Sequence, residues 1–105
     1  MTELADPKVT TKIKPKEDVI EPPRYNVIYI NDEETTHEFV VESLKIVFNY
    51  DAETAEFLTT KIHNEGSAVV ATLPYEMAEQ KGIEVTVSAR NSGFPLQIKL
   101  EAEET

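Results

Sequence analysis

An apolar run, Tyr25–Ile30, ends in a polar turn, residues 31–38, that reads Asn-Asp-Glu-Glu-Thr-Thr-His-Glu. The run is rich in β-branched and aromatic residues, which favours a strand. The turn gathers an amide, carboxylates and hydroxyls where this strand is expected to meet a helix. Loops held by a rigid scaffold are common places for binding groups. The sequence therefore predicts a set of hydrogen-bond acceptors at the strand end, suited to capture of a small cation.

Apolar spacing after the turn predicts two consecutive helices. Thr35 followed by Glu38 has the form of a capping box, which favours a helix start. Asp51 is expected to cap the second helix, which should stop at Gly66 because glycine is favoured just beyond a helix end. The first helix has an apolar stripe at helical spacing, formed by Phe39, Val40, Leu44, Val47 and Phe48.

The second half of the chain predicts a strand, a helix and a strand. Ala68–Leu73 is a short apolar run, and Pro74 suits a first helical position. Gly82 and the alternation in residues 83–87 favour a strand, but the helix formers in residues 75–81 favour a helix, which we predict. The last strand has apolar residues at alternate positions, Leu96, Ile98 and Leu100. The order β-α-α-β-α-β predicts an α+β fold, a three-stranded antiparallel sheet with three helices packed on it.

Composition separates the first 23 residues from the rest. They contain four prolines among charged residues and few large apolar side chains, so they bury too little surface to offset the entropy of ordering. We predict a flexible N-terminal extension, residues 1–23, and one core domain, residues 24–105. The net charge of −10 falls on residues 25–105, which carry five basic and fifteen acidic residues. Such an acidic body repels nucleic acid and anionic lipid.

Other compositional features narrow the class of protein. Cysteine is absent, which excludes disulfides and Cys-based zinc sites. No apolar run approaches the length of a membrane span, and the N-terminus lacks the apolar stretch of a secretory signal. We therefore expect a soluble protein of a reducing compartment.

These motifs resemble the ClpS family, the adaptors of bacterial and plastid Clp proteases. The Asn-Asp-acid turn and the His-x-x-Gly segment at the end of the second helix are the most specific pieces. The matching residues keep the family's order and spacing: Pro22-Pro23, Tyr25-Asn26-Val27-Ile28, Asn31-Asp32-Glu33, Thr35, Glu38-Phe39-Val40, Ile62-His63-x-x-Gly66, Glu76, Ala78-Glu79, Lys81 and Pro95-Leu96.

The resemblance implies an adaptor rather than an enzyme. ClpS proteins bind the first residue of substrates that begin with a bulky apolar or aromatic side chain, known as N-degrons, and deliver them to the AAA+ unfoldase ClpA or ClpC. Glu76 and Lys81 match family positions that contact the unfoldase. The resemblance further implies a monomer without cofactor or metal, located in the cytoplasm or the plastid stroma.

By this resemblance, Asn31, Asp32, Glu33 and His63 bind the substrate's α-amino group. An α-ammonium carries three donors, so its capture needs converging acceptors. The Asn31 amide oxygen and an unprotonated nitrogen of His63 are suitable, and acidic side chains strengthen such hydrogen bonds. An internal peptide bond lacks the ammonium and would leave the acceptors unpaired.

The resemblance also implies a pocket for the substrate's first side chain, lined by Ile30, Thr35, His37, Thr59, Ile62 and Leu96. The family commonly has methionine where His37 and Thr59 stand, and aspartate where Glu33 stands. Two of these departures make the pocket more polar and remove flexible thioether packing. We expect the binding of substrates that begin with Leu or Phe to be weakened most, whereas a first Tyr or Trp could gain a polar contact with His37 or Thr59.

Two other functions fit some of the same residues. An acidic surface alone suits a general protein-interaction domain. A His/carboxylate metal-binding hydrolase would use His37 and His63 with Asp32, Glu33, Glu34 and Glu38. The acidic turn also suits plain helix capping, and His63 near a helix end complements the helix dipole.

Overall fold

The computed structural model describes residues 22–104, which follow the predicted order of elements. The strands are β1 (Arg24–Ile30), β2 (Ser67–Pro74) and β3 (Gln97–Ala102). The helices are α1 (His37–Phe48), α2 (Ala52–Glu65) and α3 (Tyr75–Asn91). Apart from Pro22 and Pro23, the predicted extension of residues 1–23 lies outside the described residues, so the predicted domain division stays a prediction.

The three strands form one antiparallel sheet in the order β2-β1-β3. The last residue of the central strand, Ile30, pairs with Ser67 on one side and with Gln97 on the other. The starts of both outer strands therefore lie beside the end of β1, where the polar turn begins. The predicted α+β class with three antiparallel strands and three helices is confirmed.

The core lies between the sheet and the helices. Val27 and Tyr29 point to the same face of β1 because side chains alternate along a strand, and both are fully buried. Leu44 of α1 and Val85 of α3 join them in one apolar cluster. Within residues 22–104, no helix has both the length and the apolar character needed to cross a bilayer.

Two predicted helix starts were wrong by one residue. Thr36, not Thr35, caps α1, because its side-chain oxygen accepts from the Phe39 N–H at 3.1 Å. The Thr35 hydroxyl is turned to Asp32 instead. Pro74 is the residue before α3 rather than its first residue. Asp51 caps α2 as predicted, accepting from the Thr54 N–H at 2.9 Å.

The helical interpretation of α3 is confirmed, including the part that alternates like a strand. Val85 is fully buried, whereas Ile83 and Val87 are 57% and 53% exposed, so the alternating residues do not share a face. A Cβ added to the buried Gly82 would lie 3.5 Å from the Ile98 side chain. The glycine therefore lies where α3 packs closely on β3.

Candidate functional site: a hollow between the acidic turn and two helices

The end of α2 is joined to the turn after β1 by backbone contacts. Gly66 adopts a left-handed conformation with φ of 89°, and its N–H donates to the Ile62 carbonyl at 2.9 Å. This ends the helix and sends the chain into β2 at Ser67, the partner of Ile30. The Asn31 N–H then donates to the Gly66 carbonyl at 2.9 Å. These contacts bring the polar turn next to the last turn of α2, which carries His63.

A hollow of about 460 Å³ lies at this junction. All four residues predicted to bind an α-amino group line it: Asn31, Asp32, Glu33 and His63. They come from segments about thirty residues apart, and the antiparallel register of β1 and β2 brings them together. The structure thus brings the four together, while their binding role stays a prediction.

Asp32 organises the turn through both of its carboxylate oxygens. One oxygen accepts from the backbone N–H groups of Glu34 and Thr35 at 2.8 and 2.7 Å, and the other accepts from the Thr35 hydroxyl at 2.7 Å. Partial burial acts to raise the pKa of Asp32, but the hydrogen bonds from Thr35 and Glu34 outweigh it. The charge of Arg90 acts in the same direction as these bonds, and the pKa lies below its ordinary value. The carboxylate is therefore ionised at neutral pH.

The other three amine-site residues are more exposed than Asp32. Asn31, Glu33 and His63 are exposed at the hollow. An amide oxygen, a carboxylate and an imidazole nitrogen are all competent acceptors. With the ionised Asp32 beside them, they form an acceptor-rich, negatively charged recess that is suited to an ammonium group.

The two helices supply the remaining walls of the hollow. His37 and Val40 face it from α1, and Thr59 and Ile62 face it from α2. Thr59 is only 3% exposed, and its hydroxyl donates to the Ala55 carbonyl at 2.7 Å. Four residues predicted for a side-chain pocket, Thr35, His37, Thr59 and Ile62, therefore line the hollow together with the amine-site residues.

Two residues at the site were missed by sequence reasoning. Val40 lines the hollow and lies three positions after His37 in α1, so helical spacing from His37 could have identified it. Glu56 of α2 contacts the His37 ring, with 2.9 Å between Nε2 and Oε1. Nothing in the local sequence indicates this pairing, because the two residues are nineteen positions apart.

Ile30 and Leu96 are not among the described residues that line the hollow. Ile30 is half-buried and lines a separate depression with Arg90 and Gln97. Leu96 is 1% exposed in the core, and its carbonyl accepts from the Arg90 guanidinium at 2.8 Å. Their assignment to a side-chain pocket rests on the resemblance alone and stays a prediction.

The two predicted unfoldase contacts lie on α3. Glu76 is exposed in its first turn. Lys81 is half-buried, and its ammonium donates to the Val47 carbonyl in α1 at 3.0 Å. Lys81 therefore has a structural contact of its own, stabilising the carboxyl end of α1, alongside the predicted partner contact.

The residues of the alternative metal site are partly gathered here. His37 and His63 both line the hollow, together with Asp32 and Glu33. Within the described range, however, no three His, Asp or Glu side chains have an arrangement that could hold a metal ion.

Comparison with known proteins gives consistent matches. The family model described as ATP-dependent Clp protease adaptor protein ClpS matches residues 20–99. The ClpS adapter of Wolinella succinogenes is 44% identical over 91 residues, which are 87% of this chain and 89% of that protein. The ClpS adapter of Treponema denticola is 44% identical over 85 residues, which are 81% of this chain and 84% of that protein.

A solved structure agrees with these sequence matches. Agrobacterium tumefaciens ClpS2, whose structure was determined bound to L-phenylalaninamide, superimposes with a TM-score of 0.77 at 37% identity. The match covers 79% of this chain and all of that one. The prediction of a non-catalytic adaptor is confirmed with the family. This chain belongs to the ClpS family, the adaptor proteins of the ATP-dependent Clp protease.

Proposed function

We propose that the hollow captures the first residue of a protein substrate through its free α-amino group. The observation that carries this proposal is the convergence of Asn31, Asp32, Glu33 and His63 on one recess. An ammonium offers three hydrogens, and the recess offers an amide oxygen, an imidazole nitrogen and carboxylates. Hydrogen bonds of this charged type are stronger than neutral ones.

The same arrangement discriminates against internal chain segments. A peptide bond entering the recess brings neither a positive charge nor three donors. It would displace water from acceptors that then remain unpaired, at about 1–3 kcal/mol for each buried group. Selectivity for chain beginnings therefore follows from the acceptor set itself.

We propose that the substrate's first side chain is bulky and apolar or aromatic. Val40 and Ile62 give the hollow an apolar surface beside the amine-site residues. The structure of the relative ClpS2 was determined bound to L-phenylalaninamide, which combines a free α-amino group with an aromatic side chain. The similarity of the two folds supports the same class of ligand for this chain.

We propose delivery of these substrates to ClpA or ClpC as the second half of the function. The exposed Glu76 and the half-buried Lys81 are the proposed contacts with the unfoldase, on the basis of the family resemblance. The adaptor acts as a monomer in this proposal, in the same compartment as the unfoldase, the cytoplasm or the plastid stroma.

Peptide binding tests the proposal directly. A fluorescent peptide that begins with an aromatic residue should bind when its α-amine is free and lose nearly all affinity when it is N-acetylated, because acetylation removes the charge and two donors. Equal binding of both peptides would instead indicate a general acidic-surface interaction domain. Asn31→Ala should abolish binding, whereas Asn64→Ala, a matched change at an exposed position near the end of α2, should leave it intact.

A further inference from the structure

Three polar side chains that line the hollow, Thr35, His37 and Thr59, share one property: the polar hydrogen of each is already used within the protein. The Thr59 hydroxyl donates to the Ala55 carbonyl at 2.7 Å. The Thr35 hydroxyl donates to Asp32 at 2.7 Å. A hydroxyl has one hydrogen and two lone pairs, so each oxygen is left with acceptor capacity only.

The hydrogen of His37 can be placed by the same reasoning. Its Nε2 lies 2.9 Å from Glu56 Oε1. A carboxylate only accepts, so Nε2 carries the hydrogen and donates it to Glu56. In the neutral imidazole, Nδ1 is then unprotonated and accepts hydrogen bonds. The pairing also joins the first residue of α1 to α2, one helical turn before Thr59.

We propose that the hollow prefers a first residue whose side chain carries a hydrogen-bond donor at its far end, with tyrosine favoured over phenylalanine. This inference rests on the proposed function and specifies the substrate of the same site. Thr59, 3% exposed, and His37 are the specificity-determining residues, and each offers an acceptor to the incoming donor.

The preference follows from whether the bound side chain replaces the hydrogen bonds that water donates to these acceptors. A bound ring displaces water that would otherwise donate to these acceptors. The phenol of tyrosine restores that donor, whereas phenylalanine leaves the acceptors without one. Val40 and Ile62 offer apolar contact to either ring and so do not discriminate between them.

Four peptides that differ only at their first residue, three with a free α-amine and one N-acetylated, test the inference by fluorescence anisotropy. They begin with tyrosine, phenylalanine, 4-fluorophenylalanine or N-acetyltyrosine. Tyrosine should bind about three- to tenfold more tightly than phenylalanine, the range for one additional hydrogen bond. The fluorinated ring carries a substituent at the same position but no donor, and it should bind like phenylalanine. Equal affinity for tyrosine and phenylalanine, or tyrosine-like affinity for the fluorinated peptide, overturns the inference.

Variants identify the acceptor. Thr59→Val keeps the side-chain shape and removes the oxygen, so the preference for tyrosine should fall, while Thr59→Ser should retain it. Thr60→Val applies the same change to the exposed neighbour and should leave the preference unaltered. Circular dichroism checks that each variant is folded. A preference for tyrosine that survives unchanged in both Thr59→Val and His37→Ala overturns the inference.

Failure of the proposed function and failure of the side-chain preference give different binding results. If the tyrosine and N-acetyltyrosine peptides bind equally, or neither binds, the proposed function itself is wrong. If the free amine is required but the tyrosine and phenylalanine peptides bind alike, only the inference about the side chain is wrong.

Discussion

The backbone N–H of Asn31 donates a 2.9 Å hydrogen bond to the carbonyl of Gly66, the residue that ends α2. This bond continues the pairing of β1 with β2 by one step beyond Ile30 and Ser67. It holds the polar turn against the helix end that carries His63. The position of the amine-site residues therefore depends on a backbone conformation that glycine adopts easily.

Gly66→Ala should disturb both stability and binding. The φ of Gly66 is 89°, and a Cβ added there meets no atom within 4 Å, so the penalty is conformational rather than steric. We expect a loss of about 1 kcal/mol in the free energy of unfolding. Peptide affinity should fall as well, because the Gly66 carbonyl that holds Asn31 would shift. Urea unfolding and fluorescence anisotropy measure the two effects.

Gly93→Ala is the matched control for this change. Gly93 has a φ of 82° and equally open surroundings, but it lies after α3. It should show a similar loss of stability with unchanged peptide affinity. If Gly93→Ala weakened peptide binding as much, general destabilisation would explain the result and the local role of Gly66 would be rejected.

Asp32→Asn should destabilise the protein in a pH-dependent way. At neutral pH the variant loses the acceptor of the Thr35 hydroxyl, at about 1 kcal/mol. Because the folded pKa of Asp32 is lowered, the stability it contributes is present above the ordinary aspartate pKa of about 3.9 and is lost as pH falls through the lower folded value. The stability gap between the two proteins should therefore narrow below about pH 4.

Asp51→Asn is the control that distinguishes an effect on the polar turn from a general change in the acid dependence of stability. The Asp51 pKa is also lowered, first by its hydrogen bonds with Thr54, so this variant should likewise change the acid dependence of stability. Asp51 caps α2 at the end opposite to His63, so peptide affinity should be retained. Unfolding at several pH values, together with anisotropy at pH 7, checks both statements. A difference in unfolding free energy between the unchanged protein and Asp32→Asn that does not vary with pH would contradict the assigned ionisation of Asp32.

His63→Lys should abolish peptide binding, because it places an ammonium against the ammonium of the ligand. His63→Gln keeps an acceptor oxygen and should retain part of the affinity. A hydrogen bond to a charged group contributes about 1.5–3 kcal/mol, so complete loss of the bond between the side chain at position 63 and the ligand ammonium corresponds to roughly ten- to hundredfold weaker binding. Asn64→Lys adds the same charge at the next, exposed position and should have a small effect. Comparable loss in His63→Lys and Asn64→Lys would mean that long-range charge, not a specific contact, decides binding.

Glu76→Lys should reduce capture of ClpA or ClpC in a pull-down while peptide affinity stays unchanged. Glu76 is exposed on α3, so reversal of its charge should affect a partner surface rather than the fold. Glu104→Lys makes the same reversal at an exposed position beyond β3 and should leave capture intact. Unchanged capture by Glu76→Lys, or equal loss in both variants, would remove Glu76 from the proposed interface.

The buried pair Tyr29 and Ser43 makes an unequal stability prediction. Their oxygens are 2.8 Å apart, and the Ser43 hydroxyl also donates to the Val40 carbonyl at 2.8 Å. The single hydrogen of Ser43 is thus used, so Tyr29 donates to Ser43. Burial raises the pKa of the Tyr29 phenol and keeps this hydrogen in place.

Ser43→Ala should therefore be more destabilising than Tyr29→Phe. Ser43→Ala leaves the buried Tyr29 hydroxyl without an acceptor, at about 1–3 kcal/mol. Tyr29→Phe removes the donor hydroxyl itself, so no buried donor is left unpaired, and it should cost about 1 kcal/mol. The double variant should resemble Tyr29→Phe. Denaturant unfolding of the three variants measures the order, and a reversed order would show that the hydrogen bond runs from Ser43 to Tyr29.

Much of the fold was accessible from local sequence. The apolar stripe beginning at Phe39, the Asp51 cap and the Gly66 stop are signals within a few residues, and each predicted its element correctly. The errors were local too. Two adjacent threonines both suit a cap, and only the hydrogen bond of Thr35 to Asp32 decides that Thr36 takes that place.

The site shows where local sequence stops being sufficient. Its motifs pointed to the polar turn and to His63, because amide, acid and imidazole groups carry recognisable chemistry wherever they occur. Three features depended on the tertiary structure: the β1–β2 register that brings Asn31 to Gly66, the packing that keeps Leu96 in the core, and the contact between His37 and Glu56. Each joins residues far apart in the chain. The sequence thus determined which chemical groups are present, and the fold decided which of their hydrogens and lone pairs remain for a ligand, because hydrogen bonding is set by proximity in space.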